Sequence, residues 1–174
     1  MVPYRTMALT NFEVEHLAKL LGITNLNSVC LQEELKEKKL KDGAYIVNYG
    51  TYKNGGTHYV CVLIEANSAF HFDSFGAKYS DDVADFIKPK DHIAYNQFIM
   101  QDLDSSLCGW YCLGLIYYLK KNKGKLPLFA RCNEYINLFK QDNTKNGAIV
   151  RQLFHHWLPK KKTPKRLFDI LAKK

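Results

Sequence analysis

The segment Cys108–Lys121, CGWYCLGLIYYLKK, constrains this chain more than any other. It is rich in Trp, Tyr, Leu and Ile and is long enough for a helix buried on most sides. Such a helix has to be surrounded by other elements, and 174 residues leave room for one domain with a real hydrophobic core. Ser105 or Ser106 is placed to cap the helix. Gly124 and Pro127 then break the chain.

The flanking sequence supplies those elements. Thr10 and Glu13 fit a capping box, and Val14, Leu17, Ala18 and Leu21 recur at helical spacing up to Gly22. An amphipathic helix over residues 11–21 follows. Residues 31–42 are highly charged and read as a solvated helix or loop. Residues 44–48 read as a short strand, and Asn54-Gly55-Gly56 as a turn. Residues 59–64 are apolar without alternation, as in a strand buried on both faces. Residues 69–72 form the next strand and 81–87 a short helix stopped by Pro89. Residues 97–101 are a further strand candidate. Helices are expected around 132–140 and 147–157, followed by a basic segment from Lys160 that reads either as a DNA contact or as a solvated, frayed end. No repeat or long linker divides the chain. The order of helix, strands, buried helix and helices predicts an α+β domain with a central sheet.

Composition narrows the function classes. The apolar and aromatic content excludes a disordered chain. No apolar run is long enough to span a bilayer, and the first residues lack the layout of a signal peptide, so a soluble protein from a reducing compartment is expected. The cysteines Cys30, Cys61, Cys108, Cys112 and Cys132 are odd in number and irregularly spaced, which signals neither a disulfide framework nor a zinc site. His155-His156 has no cysteine or acid spaced to complete a metal site, so no metal is expected. The net charge of +8 suits a polyanionic partner, or equally a solubility surplus spread over the surface.

Four residues stand where chemistry needs them. His58 lies between the Gly-Gly turn and a buried strand, Asp73 follows the next strand, Gln101 ends a short candidate strand, and Cys108 opens the apolar helix just before Gly109. A helix N-terminus favours thiolate over thiol, and a neighbouring imidazolium lowers the thiol pKa further. His58 and Asp73 on adjacent strands can bond side by side, leaving the second ring nitrogen for the thiol. The Cys108 N–H and the Gln101 amide are candidate oxyanion donors, and Gly109 would let a substrate carbonyl approach the backbone. Singly, each residue has an ordinary reading: a buried cysteine, a satisfied histidine, a turn aspartate, a capping glutamine. His71, on the strand before Asp73, should point away from the side that carries Phe72. The order and context of the four together favour a catalytic set.

The runs Gly55-Gly56-Thr57-His58-Tyr59 and Phe72-Asp73-Ser74-Phe75-Gly76, then Gln101 seven positions before Cys108-Gly109-Trp110-Tyr111-Cys112, resemble the adenovirus-type (adenain-like) maturation protease. Relatives of that type occur in virophages and Polinton-like elements, and the wider clan includes the SUMO-specific and other ubiquitin-like-protein proteases. The resemblance covers about residues 10–120. It implies a papain-like fold in which a central mixed sheet packs on a buried helix carrying the nucleophile. It further implies Cys108 as nucleophile, His58 as base, Asp73 in the place of the adenoviral Glu, and Gln101 in the oxyanion hole. Tyr59, Gly56, Gly109 and Trp110 are expected to line the substrate cleft. Tyr59 replaces the Trp that usually follows the histidine, and Cys112, one turn after Cys108, reads as core. Adenoviral enzymes carry an activating peptide tethered by a disulfide to a cysteine upstream of the glutamine. No cysteine lies between Cys61 and Cys108 here, so activity without a peptide, or with a non-covalent one, is expected.

The expected function is therefore a viral maturation cysteine endopeptidase that cuts capsid or other structural precursors at Gly or other small residues. It is expected to be monomeric, to need no cofactor, and to act in the virion and the host cytoplasm or nucleus rather than outside the cell or at a membrane. The resemblance extends to DNA as a stimulating, non-specifically bound partner, with Lys161, Lys162, Lys165 and Arg166 as its contacts. Two rivals remain open at this stage: a ubiquitin-like-protein protease, and a basic DNA-packaging protein without catalysis.

Overall fold

The computed structural model describes residues 8–50, 53, 58–122, 124 and 126–172. Helix α1 (Asn11–Leu20) opens on the expected capping box. The Glu13 N–H donates to Thr10 Oγ1 (3.2 Å) and the Thr10 N–H to Glu13 Oε2 (2.9 Å). Val14, Leu17 and Ala18 are buried on one face, and Gly22 ends the turn with φ at 64°, a conformation glycine adopts without strain.

The sheet has five strands in the spatial order of the sequence. Strand β1 (Leu26–Leu31) runs parallel to β2 (Gly43–Asn48), with a 3-10 turn, Gln32–Glu37, between them. Strands β3 (Tyr59–Glu65) and β4 (Ser68–Phe72) continue antiparallel. Helix α2 (Asp81–Ile87), capped by Ser80, carries the chain across to β5 (His92–Tyr95), parallel to β4. The sheet is thus mixed, as expected.

Helix α3 (Cys108–Lys121) packs on one face of this sheet, and nearly its whole circumference is buried. Tyr59, Cys61 and Leu63 of β3 face it. Val60, Val62 and Ile64 face a second, smaller core closed by Leu35 of the 3-10 turn and by Val83 and Ile87 of α2. That two-sided burial is why β3 lacks alternation. On the far side α3 is covered by α4 (Leu128–Ile136) and α5 (Asn146–Trp157), against which packs α6 (Lys165–Ala172). Trp110 meets Phe154 edge to face (4.8 Å, 82°), and the Tyr135 hydroxyl donates to the Tyr111 carbonyl (3.0 Å).

Several expectations are corrected. Residues 97–101 form no strand: the chain is held there point by point, with the Met100 and Gln101 N–H groups both donating to Ser74 O (2.8 and 2.9 Å). Neither Ser105 nor Ser106 caps α3; Leu107 occupies that position without a side-chain bond. Helix α4 starts at Leu128 rather than 132, directly after Pro127, whose fixed φ suits a helix entrance. The basic segment does not fray, because α6 buries Leu167, Ile170 and Leu171. Each buried aliphatic contributes about 1.5–3 kcal/mol. Surface charge interactions are worth about 0.2–1 kcal/mol, so the lysines do not prevent docking. Among the described residues no helix is long and apolar enough to cross a membrane.

Gly114 marks the tightest approach of α3 to its cover, since a Cβ there would run into the Tyr135 hydroxyl. A Gly-to-Ala change in a helix normally gains about 1 kcal/mol. Overpacking costs about 1–3 kcal/mol and here also displaces a buried hydrogen bond. Gly114→Ala should therefore lower stability on balance, read as a lower denaturant midpoint at unchanged slope.

Candidate active site

The β3–β4 register, with Cys61 opposite Phe72, brings the start of β3 and the end of β4 to one edge of the sheet. His58 lies just before β3, its carbonyl accepting from the Tyr49 N–H (2.8 Å) so that the β2–β3 pairing extends through it. Asp73 lies just past β4. His58 Nε2 and Asp73 Oδ1 are 2.8 Å apart, with side chains 16% and 3% exposed. The same carboxylate oxygen accepts the Phe75 N–H (2.8 Å) in a local turn, which orients the acid before the histidine arrives.

Cys108, the first residue of α3, is buried and lies near enough to His58 to act on its imidazole. With Nε2 on Asp73, Nδ1 is the ring nitrogen left for the thiol. Burial pushes the imidazole pKa down, but the hydrogen bonds to Asp73 and Cys108 and the charge of both groups outweigh it, raising it to about 9. The first N–H groups of α3 lack a side-chain cap, so their partial positive charge remains available at the sulfur.

The other cysteines are of a different kind. Cys61 and Cys112 are fully buried, and burial pushes their thiols well above the ordinary range. Burial likewise raises Cys30, and Cys132 to about 12. Cys112 donates to the Tyr59 carbonyl (3.5 Å) from within the core. All five cysteines are free.

Gln101 reaches the site through neighbours and makes no hydrogen bond to Cys108. Its Oε1 accepts from the Ser74 hydroxyl (2.7 Å) and its Nε2 donates to Ser105 O (2.6 Å). A backbone carbonyl can only accept, so the Ser105 contact fixes which end of the amide carries nitrogen. One N–H remains for a further acceptor. Asn143 and Asn146 hold the same loop, through Gln101 O (3.5 Å) and Met100 O (3.1 Å).

The expected cleft residues are corrected. Tyr59 is buried, turned by strand alternation to the face opposite His58, with its hydroxyl on Asn11 Oδ1 (2.6 Å). Trp110 is wholly buried against Phe154. The space over Gly109 is filled by Leu9 and Tyr59, which a Cβ would meet at 3.2 and 3.3 Å, so this glycine serves helix–strand packing. Gly56 lies outside the described residues. Of the basic four, Arg166 is paired with Glu13 (2.6 Å) and Lys165 with Asp169 (3.1 Å), while Lys161 and Lys162 are exposed in a turn. His155 stacks on Phe168, and among the described residues no group of three or more His, Cys, Asp or Glu is placed to hold a metal.

Sequence reasoning missed Asn96 and Tyr49. The Asn96 side chain accepts the Asp73 N–H (2.9 Å) and donates to the Asp73 carbonyl (2.7 Å), replacing a strand partner exactly where β4 ends. The Tyr49 ring stands edge-on to His58 at 6.2 Å. Its only sequence signal is the alternation that continues past β2.

No protein-family model matches the sequence, and no curated protein matches it. By structure the chain is similar to the ASFV pS273R protease. The selenomethionine form aligns with TM-score 0.47 at 14% identity, over 79% of this chain and 70% of that one. A second structure of that protease gives 0.43 at 13%, with the same coverage. An AvrA deletion variant with IP6 and CoA gives 0.46 at 17%, over 92% of this chain and 66% of that one.

The raised His58 value has a stability consequence of definite sign. The folded protein holds this proton more tightly than the unfolded chain does, so the gain is full below the ordinary value of 6.5 and is lost as pH rises through about 9. Denaturant midpoints should fall across that window in the wild type. The fall should be much smaller in Asp73→Asn. Equal pH dependence in the two proteins would remove the ion pair from this account.

Proposed function

We propose that the chain is a cysteine endopeptidase of the viral maturation type. The observation that carries this reading is the Asp73–His58 hydrogen bond beside Cys108, which opens a buried helix. In the proposed reaction the Cys108 thiolate attacks a peptide carbonyl carbon, and the carbonyl π pair moves to oxygen. The remaining N–H of Gln101 and the Cys108 N–H stabilise that oxyanion. His58 gives its Nδ1 proton to the leaving amine as the C–N bond breaks, leaving an acyl-thioester. Water then attacks the thioester, His58 takes its proton, and the Cys108 thiolate leaves. Asp73 keeps the imidazole in one tautomer throughout.

The substrate class, a viral structural or capsid precursor cut beside Gly or another small residue in the virion or infected cell, follows from the motif resemblance. A peptide electrophile should label Cys108 alone, and Cys108→Ala should abolish cleavage of a precursor peptide while leaving the fold intact. Gln101→Ala should lower kcat by about 10²–10³ with KM nearly unchanged. Turnover of a ubiquitin-like conjugate but not of the precursor would transfer the reading to a ubiquitin-like-protein protease. Labelling of no cysteine, or of all five alike, would leave a basic protein without catalysis.

Non-specific DNA binding belongs to the same proposal in a reduced form. Ion pairs engage Lys165 and Arg166, so Lys161 and Lys162 are the available pair. The log–log salt slope is about −0.9 per phosphate neutralised. Changing Lys161 and Lys162 together to Ser should flatten it by about two phosphates' worth and leave peptide cleavage untouched. An unchanged slope would place the contact elsewhere.

A further inference from the structure

Tyr49 connects His58 to a buried histidine that the proposed reaction does not use. Tyr49 and His71 belong to the sheet face away from α3, while His58 and Asp73 lie at the sheet edge that the start of α3 reaches. His71 precedes Asp73 by two residues on β4, and Tyr49 continues the alternation of Tyr45 and Val47. The Tyr49 ring stands edge-on to His58 (6.2 Å, 70°), while Phe75 covers the imidazole from another side (4.9 Å, 34°).

The tyrosine is itself held. Its hydroxyl accepts the Ser80 N–H (3.3 Å) and is 3.0 Å from His71 Nε2. The two rings lie nearly parallel at 6.4 Å, and Tyr79 closes on His71 edge-on at 5.7 Å. His71 is completely buried, and its Nδ1 has no hydrogen-bond partner. Burial holds His71 neutral by pulling its pKa down to about 4, against the pull of Asp73 and with the repulsion of His58. His71 therefore acts as a fixed, uncharged hydrogen-bond partner of the Tyr49 hydroxyl.

We infer that Tyr49, anchored by His71 and Ser80, is a positioning residue for His58, holding one side of an aromatic slot whose other side is Phe75. The inference rests on the reading of His58 as the base. The hydrogen bond to Asp73 at Nε2 sets the direction of the imidazole but not its tilt about that line, and histidine χ2 is a soft torsion. Flanking rings remove this freedom. Holding the ring against Asp73 also keeps the contact that favours its cationic form. Tyr49 itself, Tyr79 and His71, which burial keeps neutral, are the other titratable groups of the cluster.

The test needs readouts that a purely structural role would not move. Tyr49→Leu should lower kcat about tenfold with KM within about twofold, the pattern of a misplaced base. It should also shift the alkaline limb of the kcat/KM profile to lower pH. Tyr49→Phe, which keeps the ring and loses the tether, should fall between wild type and Tyr49→Leu. His71→Leu should match Tyr49→Phe, His71→Gln should restore most of the activity through its amide N–H, and the Tyr49→Phe/His71→Leu pair should be no worse than either alone. Two substrate-free measurements separate the inference from the reading beneath it: the NMR titration of His58 and the pH dependence of Cys108 alkylation by iodoacetamide. If wild-type His58 titrates in the ordinary histidine range and Cys108 is not selectively alkylated, the base assignment and the inference fall together. If both measurements are as expected and Tyr49→Leu leaves them and the pH profile unchanged, the inference alone is overturned.

Discussion

Trp110, Tyr111, Cys112, Leu113 and Leu115 point to every side of α3, and all are completely buried. A helix with no polar side must find an apolar partner in every direction, and the other elements supply them: the sheet beneath, α1 along one flank, α4 and α5 above. The packing also determines where the helix ends lie. Its lysine-bearing end reaches the surface, whereas its first residue stays buried at the edge of the sheet beside His58. The position of the Cys108 thiol is thus a by-product of core packing. Gln101, which stands on a loop, is held by three separate tethers from Ser74, Ser105 and Asn143.

The elements legible in the sequence are those whose stability is local. The capping box of α1, the apolar run of β3 and the length of α3 announce themselves within one window. Strand β1, Leu26–Leu31, does not: Asn27 and Ser28 interrupt its apolar residues, and it is a strand because β2 pairs with it in parallel. Strand β5 has only four residues, mostly exposed or half-exposed. Helix α6 was masked by lysines that share a short stretch with Leu167, Ile170 and Leu171.

The same distinction applies within the site. His58, Asp73 and Cys108 could be read because each stands at the end of an element, and their order matched a known pattern. Tyr59, Gly109 and Trp110 adjoin these residues in sequence, yet all three are buried in the core. One step along a strand reverses the face, and one step along a helix turns the side chain through about 100°. Asn96 and Tyr49 were invisible for the converse reason, since they meet Asp73 and His58 only through the register of distant strands.

Glu13 caps the first helix and also receives Arg166 of the last, a contact between residues 153 positions apart. A ribosome delivers the chain from its N-terminus, so α1 and the sheet emerge long before α6 does. The surface that Leu167, Ile170 and Leu171 finally cover must therefore stay open to water, or to a chaperone, for most of synthesis. Closing so long a loop is entropically slow to reward, which makes the docking of α6 a late event in folding. The Arg166–Glu13 contact is in this sense a latch set by translation: it engages only after α6 has been made.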